Sequence, residues 1–173
     1  PLVSLVGYTN AGKSTLLNAF AQADAYVDDR LFATLDTKTR LVMIGQERKI
    51  LLADTVGFIR HLPHGLVASF KSTLEVARES DLLLVVADAS HPRVSDHLAV
   101  VDSTLSEIDA ERVPRLVVLN KCDLAGDADL GEAAEGAGGE GPLCISARTG
   151  DGLDALKAAI RHRLDEGAVC SMS

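Results

Sequence analysis

What this sequence lacks narrows its role before any motif is read. No apolar run reaches the roughly 18 residues of a membrane-crossing helix, so a spanning segment is not expected. The opening Pro1-Leu2-Val3-Ser4-Leu5-Val6 has neither the basic region nor the cleavage site of a secretory leader. An initiator methionine is missing too, and the expectation is a domain cut from a longer protein. Cysteine is scarce: Cys122, Cys144 and Cys170 form no Cys-x-x-Cys and leave one over. That disfavours a disulfide framework or a zinc site and suits a reducing cytoplasm. Positive charge is short as well. A formal net charge of −8 argues against gripping DNA or RNA through phosphate neutralisation by this domain alone. A nucleotide with its metal needs only a few local donors, and the charge does not exclude it.

What is present is 173 residues, 47% hydrophobic and 24% charged, which bounds the chain to one globular domain with a sizeable core. The domain is expected over residues 1–165, as a monomer, with 166–173 a tail in which no pattern is legible. Short apolar runs alternate with helical periodicity, the pattern of a mostly parallel sheet covered by helices. Leu2–Val6, Leu41–Ile44, Ile50–Ala53, Leu82–Ala87, Leu116–Leu119 and Leu143–Ile145 read as strands. Gly45-Gln46-Glu47-Arg48 reads as the turn of a hairpin. A helix is expected over about Lys13 to Ala23. Three further stripes recur at helical spacing: Leu66, Phe70, Leu74, Ala77; Val94, Leu98, Val101, Leu105, Ile108; and Leu153, Leu156, Ile160, Leu164. The predicted fold is α/β, a three-layer sandwich whose six-stranded, mostly parallel sheet has one antiparallel edge strand near Leu41–Ile44. Asp24–Lys38 is too long and polar for an ordinary connection, and Ala125–Pro142 has little to bury.

Gly7-Tyr8-Thr9-Asn10-Ala11-Gly12-Lys13-Ser14 matches GxxxxGK[ST] between a strand and a helix, the context the motif requires. Its backbone N–H groups can converge on phosphate oxygens, and the helix N-terminus adds its positive end. Lys13 is expected to bridge the β- and γ-phosphates, Ser14 to ligate Mg²⁺, and Thr15 to complete the contact surface. This implies a nucleoside triphosphate without naming its base. Asn120-Lys121-Cys122-Asp123 follows a strand and addresses the base. Guanine presents two adjacent donors, N1–H and the 2-amino group, to a carboxylate such as Asp123; adenine cannot. Ser146, Ala147 and Arg148 after the last strand offer a second contact, with the Ala147 N–H expected on the guanine oxygen. Asp54-Thr55-Val56-Gly57 ends another strand, where Asp54 can orient a Mg²⁺-bound water and the Gly57 N–H can meet the γ-phosphate.

In this order and spacing, these motifs resemble the translation-factor-related GTPases. The phosphate loop, with Val27-Asp28-Asp29-Arg30-Leu31-Phe32-Ala33-Thr34-Leu35-Asp36, Asp54-Thr55-Val56-Gly57-Phe58-Ile59-Arg60 and Leu62-Pro63-His64, is similar to the HflX family over nearly the whole chain. The resemblance implies a cytoplasmic, Mg²⁺-dependent GTPase that binds the large ribosomal subunit, mainly through domains not in this sequence. It makes Thr34 the switch threonine on Mg²⁺ and Lys13, Thr34 and Gly57 the catalytic groups. Residues 24–38 and 54–66 become loops that switch between GTP and GDP. Asp36-Thr37-Lys38 departs from the family pattern, which usually has proline after the aspartate. Phe58 stands where many GTPases carry a water-positioning glutamine, as it does in the family, so slow intrinsic turnover is expected. Asn10 is the K⁺ ligand that related GTPases use, or else a brace of its loop. Rival readings are a GTP/GDP-sensing module with negligible hydrolysis, an ATP-using kinase, and a GTPase acting away from ribosomes. His61 and His64 carry no assigned role, and His91, His97 and His162 read as surface residues.

Overall fold

The computed structural model describes residues 1–23, 38–45, 48–55, 75–126 and 141–170. Its six strands are β1 (Leu2–Gly7), β2 (Lys38–Ile44), β3 (Arg48–Asp54), β4 (Leu82–Asp88), β5 (Arg115–Asn120) and β6 (Leu143–Cys144). They form one sheet in the order β2-β3-β1-β4-β5-β6. Every pairing is parallel except β2 with β3, the expected antiparallel edge hairpin. Among the described residues, the helices present in full are α1 (Lys13–Ala23), α2 (Val94–Glu107) and α3 (Leu153–Cys170). Of the stripe beginning at Leu66, residues 75–78 are helical and the rest lies outside the described residues.

The apolar runs of β1, broken only by Ser4, and of β4 follow from cover on both faces. In β4, Leu82, Leu84 and Val86 join a core with α1 and α3, while Leu83, Val85 and Ala87 join a second core with α2. Phe20 of α1 and Leu105 of α2 are wholly buried, one in each core. Each such side chain contributes roughly 1.5–3 kcal/mol of transfer free energy. Ser4, buried in the central strand, is satisfied by a 2.7 Å hydrogen bond with the Ser80 hydroxyl, which donates to the Val76 carbonyl.

Several boundaries differ from expectation: β2 begins at Lys38 rather than Leu41, and β3 at Arg48, expected in the turn, rather than Ile50. α3 continues to Cys170 rather than ending near Leu164, so residues 166–170 are helix and not tail. Periodicity missed this extension because Asp165, Glu166 and Gly167 offer nothing apolar. Asp165 pairs with Arg48 of β3, tying that turn of the helix to the sheet edge. No helix among the described residues is long and apolar enough to cross a membrane.

The topology also places the site. From β1 the chain passes to the β2–β3 side, and from β3 it crosses to β4 on the other. The carboxyl end of β1 is therefore a switch point, where open α/β sheets leave a crevice.

Candidate nucleotide-binding site

A cleft of about 580 Å³ opens at that switch point, lined by Thr9, Asn10, Gly12, Lys13, Ser14, Thr15, Lys38, Asp54, Thr55 and Lys121. Its floor is the loop from β1 into α1. Two glycines are dictated by packing. A Cβ on Gly7 would stand 2.2 Å from the Val86 carbonyl oxygen of β4. One on Gly12 (φ +92°) would meet Asn120 Nδ2 at 2.3 Å. The chain can lie this close to β4 and to the end of β5 only without side chains there. Asn10 also has positive φ (+63°), which asparagine tolerates better than most residues. That conformation is itself a reason for asparagine at this position.

Lys13 is buried, and its ammonium donates to the Gly7 carbonyl at 3.1 Å and the Tyr8 carbonyl at 3.0 Å. Burial holds its pKa below the usual lysine value, and Asp54 partly restores the charged form. Ser14 Oγ donates to Asp54 Oδ2 at 2.6 Å across the mouth of the cleft. Burial raises the Asp54 pKa, opposed by the Ser14 hydrogen bond and by Lys13 and Lys38. Its other oxygen, Oδ1, is buried without a hydrogen-bond partner among the described residues. An unpaired buried carboxylate oxygen beside a serine hydroxyl is a hard-oxygen donor set. It fits Mg²⁺, which takes one or two protein oxygens and completes its shell with phosphate and water. No cluster of three His, Cys, Asp or Glu stands among the described residues, and Mg²⁺ bound in this way needs none. Thr55 fixes the end of β3 by donating its hydroxyl to the Leu5 carbonyl at 2.6 Å.

The base-side motif is wired to the phosphate loop. Asn120, buried at the end of β5, donates from Nδ2 to the Ala11 carbonyl at 3.0 Å. Its Oδ1 accepts the Ala147 N–H at 2.9 Å. Asn120 thus bridges the loops after β1 and β6. Ser146 is buried in a turn closed by Ser146 N–H to the Asp151 carbonyl and Gly150 N–H to the Ser146 carbonyl, both at 2.9 Å. Lys121 donates to the Asn10 carbonyl at 2.7 Å and to Asp88 Oδ2 at 2.6 Å. Asp123 and Arg148 are exposed at the rim.

Two site residues, Asp88 and His97, escaped the sequence reading. Lys38, expected at the end of the loop 24–38 and as a possible contact to an incoming phosphate, is instead the first residue of β2. Asp88 anchors Lys121 and is itself held by Ser90 through its N–H at 3.0 Å and hydroxyl at 2.6 Å. Burial pushes the Asp88 pKa up, but hydrogen bonds from Lys121 and Ser90 outweigh it and leave it lowered. A carboxylate ending an apolar strand was the available signal. Lys38 stands opposite Asp54 in the β2–β3 register. Counting that register back from the hairpin turn would have found it. His97, expected to be a plain surface residue, stacks on the Tyr8 ring of the phosphate loop at 3.9 Å between centroids and packs against His91. No sequence spacing announces that contact. Thr34, Gly57, Phe58, His61 and His64 lie outside the described residues.

Comparison with known proteins agrees with this geometry. A family model described as 50S ribosome-binding GTPase matches residues 2–121. The chain belongs to that GTPase family. In particular it is similar to GTPase HflX of Escherichia coli, 47% identical over 95% of the chain and 38% of that relative. It is 48% identical to GTPase HflX of Caldanaerobacter subterraneus, over 95% of the chain and 37% of that protein. It thus spans less than two-fifths of these curated relatives and corresponds to their GTPase domain. Among solved structures, a GTP-binding protein of Sulfolobus solfataricus in complex with GDP superimposes with a TM-score of 0.75. That match is 31% identical and covers 96% of this chain and 53% of that one. The G domain of the T. maritima FeoB iron transporter matches at TM-score 0.65 and 25% identity, over 96% of this chain and 98% of that one. The resemblance to HflX and the three-layer fold read from the sequence are both borne out.

Proposed function

We propose that this domain binds GTP across the cleft, hydrolyses it with Mg²⁺, and serves as the switch of a larger protein acting on the large ribosomal subunit in the cytoplasm. The observation that carries the reading is the preformed constellation at the end of β1. Lys13 rests on the Gly7 and Tyr8 carbonyls beside a Ser14–Asp54 pair with an unpaired oxygen.

The chemistry is in-line attack of water on the γ-phosphate, and the residues act mainly by position and charge. Lys13 meets the β- and γ-phosphate oxygens, where charge grows in the transition state, and loop N–H groups supply further fixed dipoles. Mg²⁺ would bind Ser14 and, through water, Asp54, and it neutralises charge on the β- and γ-oxygens. By resemblance, Thr34 adds the second hydroxyl to that ion and Gly57 the γ-phosphate contact. Asp123 accepts from guanine N1–H and the 2-amino group. Ser146, Ala147 and Arg148 wall the base, and Asn120 and Lys121 hold the base side and phosphate side in register. Thr9, Asn10 and Thr15 complete the phosphate surface. Loss of the γ-phosphate would release residues 24–38 and 54–66, a two-state signal that a partner can read.

Two features make hydrolysis slow. Phe58 cannot orient water as glutamine does, and nothing in the described residues replaces it. A partner or ion would supply the missing help, and Asn10 is the candidate K⁺ ligand. GTP turnover by the isolated domain, with Mg²⁺ in KCl against NaCl, tests both points. Slow turnover that rises in KCl supports the assignment, and equal rates remove K⁺ from it. Co-sedimentation of the full-length protein with large subunits, tighter in a non-hydrolysable GTP analogue than in GDP, tests the ribosomal role. An inert GTP/GDP sensor would bind both nucleotides and hydrolyse neither, even with ribosomes added.

A further inference from the structure

The base-side loops carry two cysteines that the nucleotide chemistry does not use. Cys122 sits between Lys121 and Asp123, and Cys144 precedes Ile145-Ser146-Ala147 by one residue. The fold brings them together. Leu119 and Cys144 are register partners of β5 and β6. The Cys122 N–H donates to the Ile145 carbonyl at 3.1 Å. Both cysteines therefore flank the β5–β6 junction. Cys122 is half-buried, with its thiol 3.2 Å from the Leu119 carbonyl, while Cys144 is exposed. An accessible thiol beside a sheltered one is the arrangement of an oxidisable cysteine and its resolving partner.

We infer that Cys122 and Cys144 form a reversible disulfide with hydroperoxides, and that this bond weakens guanine-nucleotide binding by clamping the loops on both sides of the base. The exposed Cys144 thiolate attacks the peroxide O–O bond, becoming a sulfenic acid while the departing oxygen leaves as water. The Cys122 thiol then attacks that sulfur and gives its proton to the departing hydroxyl, which leaves as a second water. The dithiol loses two electrons and two protons, and one hydrogen peroxide becomes two waters. Burial and the neighbouring Cys144 push the Cys122 thiol up to about 12, which keeps it protonated and inert at rest. Conversion of Cys144 to a sulfenic acid removes part of that repulsion, so the second step follows the first. To bond, Cys122 Sγ must leave the Leu119 carbonyl, and the turn carrying Asp123 moves with it. Transient sensing disulfides of this kind are the form that occurs in reducing compartments.

The test treats the 173-residue chain, as a Cys170→Ser variant, with hydrogen peroxide and digests it without reduction. The expected product is a peptide joining Cys122 to Cys144, lighter than its two halves by two hydrogens. Affinity for a fluorescent GDP analogue should fall about tenfold on oxidation and return with dithiothreitol. Cys144→Ser and Cys122→Ser should each abolish that response relative to their own reduced state. Recovery of both cysteines as separately oxidised or freely alkylated thiols would overturn the inference. So would a disulfide that leaves affinity unmoved, or a response that persists in Cys144→Ser. GDP binding by the reduced chain is the control: its absence would refute the nucleotide site itself, independently of the thiols.

Discussion

The two ends of the cleft are built on opposite terms. At the phosphate end the two charged groups are withdrawn from water, with Lys13 6% exposed and Asp54 8%. Both carry pKa shifts against their charged forms, caused first by burial. At the base end Asp123 stands exposed on the rim, and only the struts behind it, Asn120 and Lys121, are tied into the fold. The phosphate end holds charges the empty fold would rather not carry, which makes it a strong anion site. The base end spends little on strain and much on register. Grip and identity are thus separate properties held in separate places.

The largest effect that follows is at Lys13. Lys13→Ala should lower kcat/KM for GTP by about 10²–10³-fold. The same variant should unfold later without nucleotide, with Tm higher by roughly 2–4 °C, because a buried charge has been removed. A nucleotide-free variant of lower Tm would break the contrast between the two ends.

Lys121→Met should act the other way on stability. It strands Asp88 and frees the Asn10 carbonyl, so Tm falls, and affinity for GDP drops about tenfold in titration calorimetry.

The carboxylates sharpen the comparison through pH. Asp54 has a raised pKa in the folded chain, so its ionised form destabilises the empty fold above that pKa. The penalty is relieved as pH falls through it. Asp88 has a lowered pKa, so it contributes stability above the ordinary aspartate value. That contribution is lost as pH falls through the folded pKa. Without nucleotide at neutral pH, Asp54→Asn should therefore raise Tm slightly and Asp88→Asn lower it. Shifts of the same sign in thermal melts would contradict the assignment.

Much of this was legible in the sequence, for physical reasons. β1 and β4 are covered on both faces and so read as apolar runs, broken in β1 only by Ser4, and the strand–loop–helix around Lys13 has the spacing of a phosphate loop. The antiparallel edge was visible because Gly45 to Arg48 leaves room for a hairpin and nothing longer. What stayed hidden was set by tertiary contact. The Asn120 bridge to Ala11 and Ala147, the Asp88 anchor and the His97 stack on Tyr8 join residues far apart in the chain. The α3 extension to Cys170 was hidden because polar residues held by ion pairs leave no periodic trace. Thr34 and Gly57 rest on resemblance and motif alone.

The most direct test is the base preference of Asp123→Asn, measured by calorimetric titration with guanosine and xanthosine diphosphates. Xanthine carries a carbonyl where guanine has its 2-amino group, so an amide donor at position 123 should favour it. The account predicts that the variant binds the xanthosine nucleotide more tightly than GDP, with the phosphate grip intact. A variant that still prefers GDP by the original margin would show that the base is read elsewhere.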